Sequence, residues 1–222
     1  MLLALDTSTR MVGLALYDGV QVLSEVVWIS QDHHTVELAP AVAEMLTRSG
    51  VEVADLQVLA VALGPGSFTG LRIGLAFAKG IALVRQLPVI GIPSLDSLVA
   101  AQPVNAGQLA AVLRAGRGRW AVGWYHAVDG IWQPSGDIEV LTPQDLAQRI
   151  ETPTQVCGEI TEQERRILGR KWKNVILASP AQSVRRPAFL AELAWKRWQA
   201  GKINDPATLA PFYLHYKEPI PG

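Results

Sequence analysis

The chain has 222 residues, 20 of them Lys or Arg and 20 Asp or Glu, so it is long enough for one large domain or two small ones with a sizeable core. Its charges cancel, which removes any global field that would draw it to nucleic acid or an anionic membrane; an RNA contact has to be local. The single Cys157 excludes an intrachain disulfide and a cysteine-based metal site, as expected in a reducing compartment. The opening run MLLALDTST is too short and lacks the basic leader of a signal peptide, and no stretch reaches the length of a membrane span without charge. A cytoplasmic protein with no membrane partner is expected.

In chain order, strands are predicted at 2–6, 12–17 and 20–28, the last two joined by Asp18-Gly19 as an antiparallel hairpin. A helix follows at 34–49, with Val36, Ala39, Val42, Ala43 and Leu46 assigned to one face and Gly50 as its stop. The apolar run 56–63 suits a strand covered on both faces. A loop of small residues leads from it to a helix at 71–85, with Ser67 or Thr69 as cap. A strand at 88–92 and a short helix capped by Ser94 complete this half. Residues 102–107 read as a linker. Beyond it, 109–113, 120–126 and 130–140 form a second hairpin pattern, and Thr142 caps a helix at 142–150 with Pro143 in its first turn. Elements at 155–157, 162–168, 175–177 and 187–199 follow. The second half echoes the first, which predicts two similar α/β subdomains.

Several clusters are candidates for chemistry. The run GPGSFTGLRIG at 64–74 reads either as a phosphate cradle or as a tight strand-to-helix turn. It lacks the lysine of a Walker loop, the next being Lys79, and Thr69 stands where a dinucleotide fingerprint has its third glycine. Asp6, Thr7, Ser8 and Thr9 follow the first strand. They can offer hard oxygen ligands to a hydrated magnesium and a phosphate, or Asp6 can simply fold the turn, which has no glycine before Gly13. Asp32, His33 and His34 lack an identifiable third ligand, and the four histidines, His33, His34, His126 and His215, contain no i, i+4 pair, so no metal site is expected. No serine sits in a Gly-x-Ser-x-Gly elbow. Arg114, Arg117 and Arg119, like Arg185-Arg186, can touch RNA phosphates or be solvated. Seven tryptophans, spread from Trp28 to Trp198, can stack bases or anchor cores. Between 71 and 84 only Arg72 and Lys79 are charged, so this helix expects cover on more than one side. Gly70, Gly74, Ala78 and Ala82 form a small-residue ridge, with Leu71, Phe77, Ile81 and Val84 largely off it. Packing between subdomains and a protein interface both fit that ridge.

The block GPGSFTGLRIGLAFAKGIAL, with ALDTST before it, a helix beginning HTVELAP and the closing Pro211-Phe212-Tyr213-Leu214, closely resembles the TsaB (YeaZ) family over nearly the full chain. That family is the dimerization subunit of the bacterial tRNA threonylcarbamoyladenosine complex. The resemblance implies an α/β fold of two actin-like, hexokinase-like and ribonuclease H-like subdomains, each a mixed sheet flanked by helices. They would span 1–102 and 103–222, with the last helix packing back on the first subdomain. It implies a non-catalytic scaffold that orders TsaD, the subunit that transfers threonylcarbamoyl to the tRNA adenosine beside the anticodon. TsaD's metal motif, Gly-Val-x-His-Met-Glu-Gly-His, corresponds to 91–98, where Ser94 and Leu98 take the two histidine positions; a pseudo-enzyme with no catalytic residue is expected. The resemblance places the TsaD interface on the helices 34–49 and 70–85, with Leu38, Val42, Met45, Gly70, Arg72, Ile73, Gly74, Phe77, Ala78 and Ile81 as contacts. A bulky charge at Gly74 or Ala78 would then abolish pairing and spare the fold. The same surface would form a homodimer when TsaD is missing, the ATPase subunit TsaE and tRNA would join through the complex, and ATP or ADP is expected only at the assembled complex. Two departures stand out: Arg114-Ala115-Gly116 replaces the family's Asp-Ala-Arg, and His215 replaces an arginine. The rival reading is an actin-fold ATPase or small-molecule kinase with Asp6 to Thr9 and the Gly64 loop as phosphate clamps, and a peptidase is a distant third.

Overall fold

The computed structural model describes residues 1–31, 33–105, 107–116, 118–169 and 173–214. Asp32, Arg117 and His215, singled out above, lie outside the described residues. The first half runs β1 (Leu2–Asp6), β2 (Met11–Tyr17), β3 (Val22–Ile29), α1 (His34–Arg48), β4 (Val58–Ala62), α2 (Phe68–Arg85), β5 (Val89–Ile92) and α3 (Ser94–Ala100). The second half runs β6 (Gln108–Arg114), β7 (Trp120–Val128), β8 (Ile131–Pro134), β9 (Glu139–Leu141), α4 (Pro143–Arg149), β10 (Thr154–Gly158), α5 (Glu162–Gly169), β11 (Val175–Leu177) and α6 (Pro187–Gln199).

The echo between halves is a repeat of topology. The first sheet is ordered β3-β2-β1-β4-β5, with β1 antiparallel to β2 and parallel to β4. The second is ordered β8-β7-β6-β10-β11, with β6 antiparallel to β7 and parallel to β10. These are two mixed sheets with the actin-like connectivity. The central strands LLALD and VLAVA are buried along their whole length, which is why they read as continuous apolar runs. In the β2–β3 turn Asp18 Oδ1 accepts from the Val20 and Gln21 amides while Gly19 takes a φ of 100°, the turn chemistry that Asp-Gly predicts.

The predicted strand at 130–140 is two strands instead. Pro134 ends β8, Gly136 turns the chain at a φ of 100°, and β9 rejoins the same edge of β7 beside β8. Helix α2 begins three residues earlier than predicted, because Ser67 Oγ caps the Gly70 amide at 3.2 Å and thereby brings Phe68 into the first turn. Ser94 does not cap α3: it lies inside the helix and its hydroxyl points elsewhere.

Helices α1 and α2 cover one face of the first sheet, setting Leu38, Val42, Leu46 and Ala78 against Leu3, Leu5 and Leu14. The other face is covered by α6, whose Leu190, Ala191 and Ala194 meet Ala4, Ala60 and Ile90. Helix α3 covers the second sheet, with Leu95 and Leu98 on Leu109 and Leu113. Each half thus supplies its last helix to the other half's sheet, and α3 and α6 touch. On α1 the buried stripe is His34, Leu38, Val42, Met45 and Leu46, leaving Val36, Ala39 and Ala43 exposed. The single apolar face predicted for this helix is therefore two surfaces, one inside and one outside.

Leu190 is fully buried where α6 meets the first sheet. Leu190→Ala is expected to destabilise the protein by about 2–5 kcal/mol, the usual cost of a buried leucine truncation. Urea unfolding monitored by circular dichroism checks it.

Candidate functional site

The two stretches that sequence reading offers as phosphate clamps are bound to each other. The turn after β1 places Thr7 and Ser8 directly under the Gly64 loop. The Ser67 amide donates to the Ser8 carbonyl at 2.6 Å, and Thr7 Oγ1 donates to the Gly70 carbonyl at 2.7 Å. A Cβ on Gly66 would stand 2.2 Å from the Ser8 carbonyl oxygen, and one on Gly70 2.3 Å from that of Thr7. The glycines admit the chain's own main chain at the distances where a cradle would admit a ligand. Ser94 closes the arrangement from α3: its Oγ lies 2.6 Å from Ser8 Oγ and accepts from the Gly64 amide at 3.0 Å.

Asp6 folds the turn, as the simpler reading has it, accepting from the Ser8 amide at 2.9 Å through Oδ1. Its other oxygen takes the Nε–H of Arg185 at 2.9 Å. Arg185 also donates to Glu159 Oε1, to Thr9 Oγ1 at 2.8 Å and to the Met11 carbonyl at 2.9 Å. It is 2% exposed. Burial disfavours its charge, but Asp6 and Glu159 outweigh that and hold the guanidinium above its ordinary pKa. The cluster joins the end of β1, the end of β10 and the approach to α6. No local pattern announces it, since Arg185 and Asp6 are 179 residues apart.

Above the cluster lies a cleft of about 830 Å³ between the halves, walled by Pro65, Phe68, Ala115, Phe212 and Leu214 and reached by Thr9 and Glu159. Arg72 lies over the Phe68 ring at 3.7 Å and donates to Tyr213 Oη at 2.9 Å, which fastens the C-terminal segment to α2. Arg114, where the resemblance implies an acidic residue, forms a two-pronged pair with Glu164, both contacts at 2.8 Å. Burial pushes the Glu164 carboxyl up, but Thr161 and Arg114 outweigh it and hold it below the ordinary range. Of the arginines proposed for RNA, Arg114 is thus engaged within the protein, Arg185 is buried, and Arg186 pairs with Glu25.

Comparison with known proteins agrees with this fold. The family model for TsaD, tRNA N6-adenosine threonylcarbamoyltransferase, matches residues 21–164. The TsaB protein of Escherichia coli, named for tRNA threonylcarbamoyladenosine biosynthesis, is 35% identical over 162 residues, covering 71% of this chain and 68% of its own. The chain belongs to the TsaB (YeaZ) family. The TsaB of Bacillus subtilis is 29% identical over 98% of this chain and 95% of its own. The solved YeaZ structure from Pseudomonas aeruginosa superposes with a TM-score of 0.78 at 26% identity, covering 96% of this chain and 99% of its own.

As a TsaB-family chain with a TsaD-type segment, it is a paralogue of the transferase. Ser94 and Leu98, which the resemblance sets at the metal-histidine positions, are fully buried, the first in the clamp and the second in the α3 core. Among the described residues no group of three or more His, Cys, Asp and Glu side chains is placed to hold a metal ion. His33 is exposed, and His34 is buried with Nε2 3.0 Å from the Thr9 carbonyl.

The docking residues assigned from the TsaB resemblance divide into two sets. Leu38, Val42, Met45, Gly70, Gly74 and Ala78 are buried in the N-terminal core, so they are not surface contacts. The small-residue ridge packs inward: a Cβ on Gly74 would stand 2.2 Å from Thr7 Oγ1, so a bulky charge there is expected to disturb the fold as well as any pairing. Arg72 is exposed, and Ile73, Phe77 and Ile81 are half-buried, flanking the buried stripe and packed against the core. Sequence reasoning passed over the exposed side of α2, Ala76, Gly80 and Leu83, because the ridge is the more conspicuous pattern.

Arg185→Ala leaves Asp6 and Glu159 without their partner and is expected to cost about 3–5 kcal/mol. Arg186→Ala, at a half-exposed pair, is expected to cost less than about 1 kcal/mol. Parallel denaturant titrations compare the two.

Proposed function

We propose that this chain is the non-catalytic scaffold subunit of tRNA threonylcarbamoyladenosine biosynthesis, binding and ordering the catalytic subunit TsaD through the outer faces of α1 and α2. One observation carries the reading: α2 uses its small-residue face to close the clamp and leaves its opposite face apolar and exposed. Leu83 and Val84 are each 82% exposed and Ala76 and Gly80 lie open beside them, while Val36 and Ala43 on neighbouring α1 are exposed as well. Apolar residues concentrated on the outside of two packed helices mark an interaction surface. A standard interface there would bury about 1,200–2,000 Å² in total.

The scaffold acts by assembly. TsaE and tRNA join through the complex, nucleotide binds only at the assembled site, and the same outer face pairs two copies when TsaD is absent. No helix among the described residues is long and apolar enough to cross a membrane, in keeping with work in the cytoplasm. The rival kinase needs Asp6 and Thr9 free to meet magnesium and phosphate; here both bond to Arg185. Micromolar magnesium-ATP binding to the isolated chain by calorimetry would revive it.

Gly80 separates docking from folding, because a Cβ there meets nothing within 4 Å. Gly80→Glu is expected to keep or raise the melting temperature, since glycine is about 1 kcal/mol poorer than alanine in a helix. It is expected to weaken TsaD association at least about thirtyfold, the loss of a strong interface position. Unchanged association in a quantitative pull-down sinks the proposal.

A further inference from the structure

A second cavity, of about 470 Å³, shares no residue with the cleft and falls within the roughly 300–1,000 Å³ of small-molecule sites. It sits where α3, α6 and the β7–β8 hairpin meet, so its walls come from both halves. Val99, Trp132, Pro134, Phe189 and Leu193 make it apolar and aromatic. The indole of Trp132 is held by an N–H bond to the Gln102 carbonyl at 3.4 Å. Two carboxylates, Asp96 and Glu192, line it against one ammonium, Lys196, which is exposed.

Asp96 is the informative group. Tyr125 donates to its Oδ1 at 3.0 Å, and among the described residues this is the carboxylate's hydrogen bond. The Arg197 guanidinium acts on it electrostatically but donates to the Gly91 carbonyl at 3.1 Å. Burial pushes the Asp96 carboxyl above its ordinary pKa. Burial and then Asp96 push the Tyr125 hydroxyl up, so it stays a donor. A carboxylate in an apolar cavity with one neutral donor is under-compensated, and a cation in the cavity supplies what is missing. Phosphate or carboxylate ligands would meet two like charges instead.

We propose that this cavity binds a small organic cation, one ammonium group on an aromatic or branched apolar body, with the ammonium at Asp96 and the body against Trp132 and Phe189. An occupant touches α3 and β8 on one side and α6 on the other, so it ties the halves together and stabilises the fold in proportion to its occupancy.

Thermal shift and calorimetry on the full chain test this with 2-phenylethylamine and its anionic counterpart 3-phenylpropionate. The amine is expected to raise the melting temperature at millimolar concentration and the acid is not. Asp96→Asn keeps an acceptor for Tyr125 and is expected to weaken amine binding about tenfold, one charge-assisted contact. Glu192→Lys leaves the Tyr125 pair untouched and is expected to weaken it as well, which decides the matter if the Asn variant does not fold. Equal responses to amine and acid, an amine affinity unchanged in the folded variants, or no response to the amine overturns the proposal.

Discussion

The close approach of the Thr7-Ser8 main chain to the Gly64 loop is the constraint on which the rest of the structure depends. A Cβ on Gly66 or Gly70 would stand within 2.3 Å of a main-chain oxygen of the Thr7-Ser8 turn, and one on Gly74 2.2 Å from the Thr7 hydroxyl. The contact joins the ends of β1 and β4, adjacent parallel strands, to the first two turns of α2. It therefore fixes both the start of that helix and its rotation about its own axis. Once Gly70, Gly74 and Ala78 face the sheet, helical geometry sends Ala76, Gly80 and Leu83 outward. The exposed apolar face is a geometric consequence of the closed clamp.

Arg185 completes the same design by a different force. It sets a guanidinium among Asp6, Thr9, Met11 and Glu159, and four of the five N–H groups of an arginine find acceptors there. Buried ion pairs seldom add net stability over apolar packing, because desolvation of the charges offsets their attraction. Here Arg185 links the end of β1, the end of β10 and the approach to α6 through one side chain. The cleft above keeps its volume, but the carboxylates at its base already have a cation. Arg114 belongs to the same pattern. At the end of β6 it pairs with Glu164 on α5, a structural contact within the second half.

Much of this was legible in the sequence wherever chemistry is local. The Asp18-Gly19 hairpin, the Thr142 cap, the doubly buried strands and the repeated halves follow from period and turn residues. The GPGSFTG block and its neighbours carried the TsaB likeness. What escaped was any feature built from residues far apart in the chain. Arg185 reads as one of two surface arginines until the fold brings it to Asp6. Glu159 has no motif at all. The faces of α1 and α2 were misjudged for a related reason: both helices are apolar on two sides, so periodicity cannot say which stripe meets the sheet. The inward stripe of α2 is small at its start because Gly70 and Gly74 lie on the Thr7 turn, and it turns apolar beyond it, with Leu75, Ala78 and Ala82 in the core. Small residues mark close approach, and sequence does not reveal whether the neighbour is the same chain or another.

The exchange of α3 and α6 bears on which residues make up the unit that presents the docking face. A sequence boundary near residue 102 divides the chain but not its packing. Without α6, the face of the first sheet formed by Leu2, Ala4, Val58, Ala60 and Ile90 has no cover. The segment after α6 is tied to the same sheet: Asn204 bonds to Gly91 at 2.8 Å and bridges Val89, and the Phe212 amide donates to the Leu63 carbonyl at 2.7 Å. The Phe212 carbonyl then lies 2.7 Å from where a Cβ on Gly64 would be, at a residue whose φ of 105° already calls for glycine. Gly64 thus has the C-terminal segment on one side and, through Ser94, the β1 turn on the other. The orientation of α2, and with it the surface it offers, depends on residues from both ends of the chain.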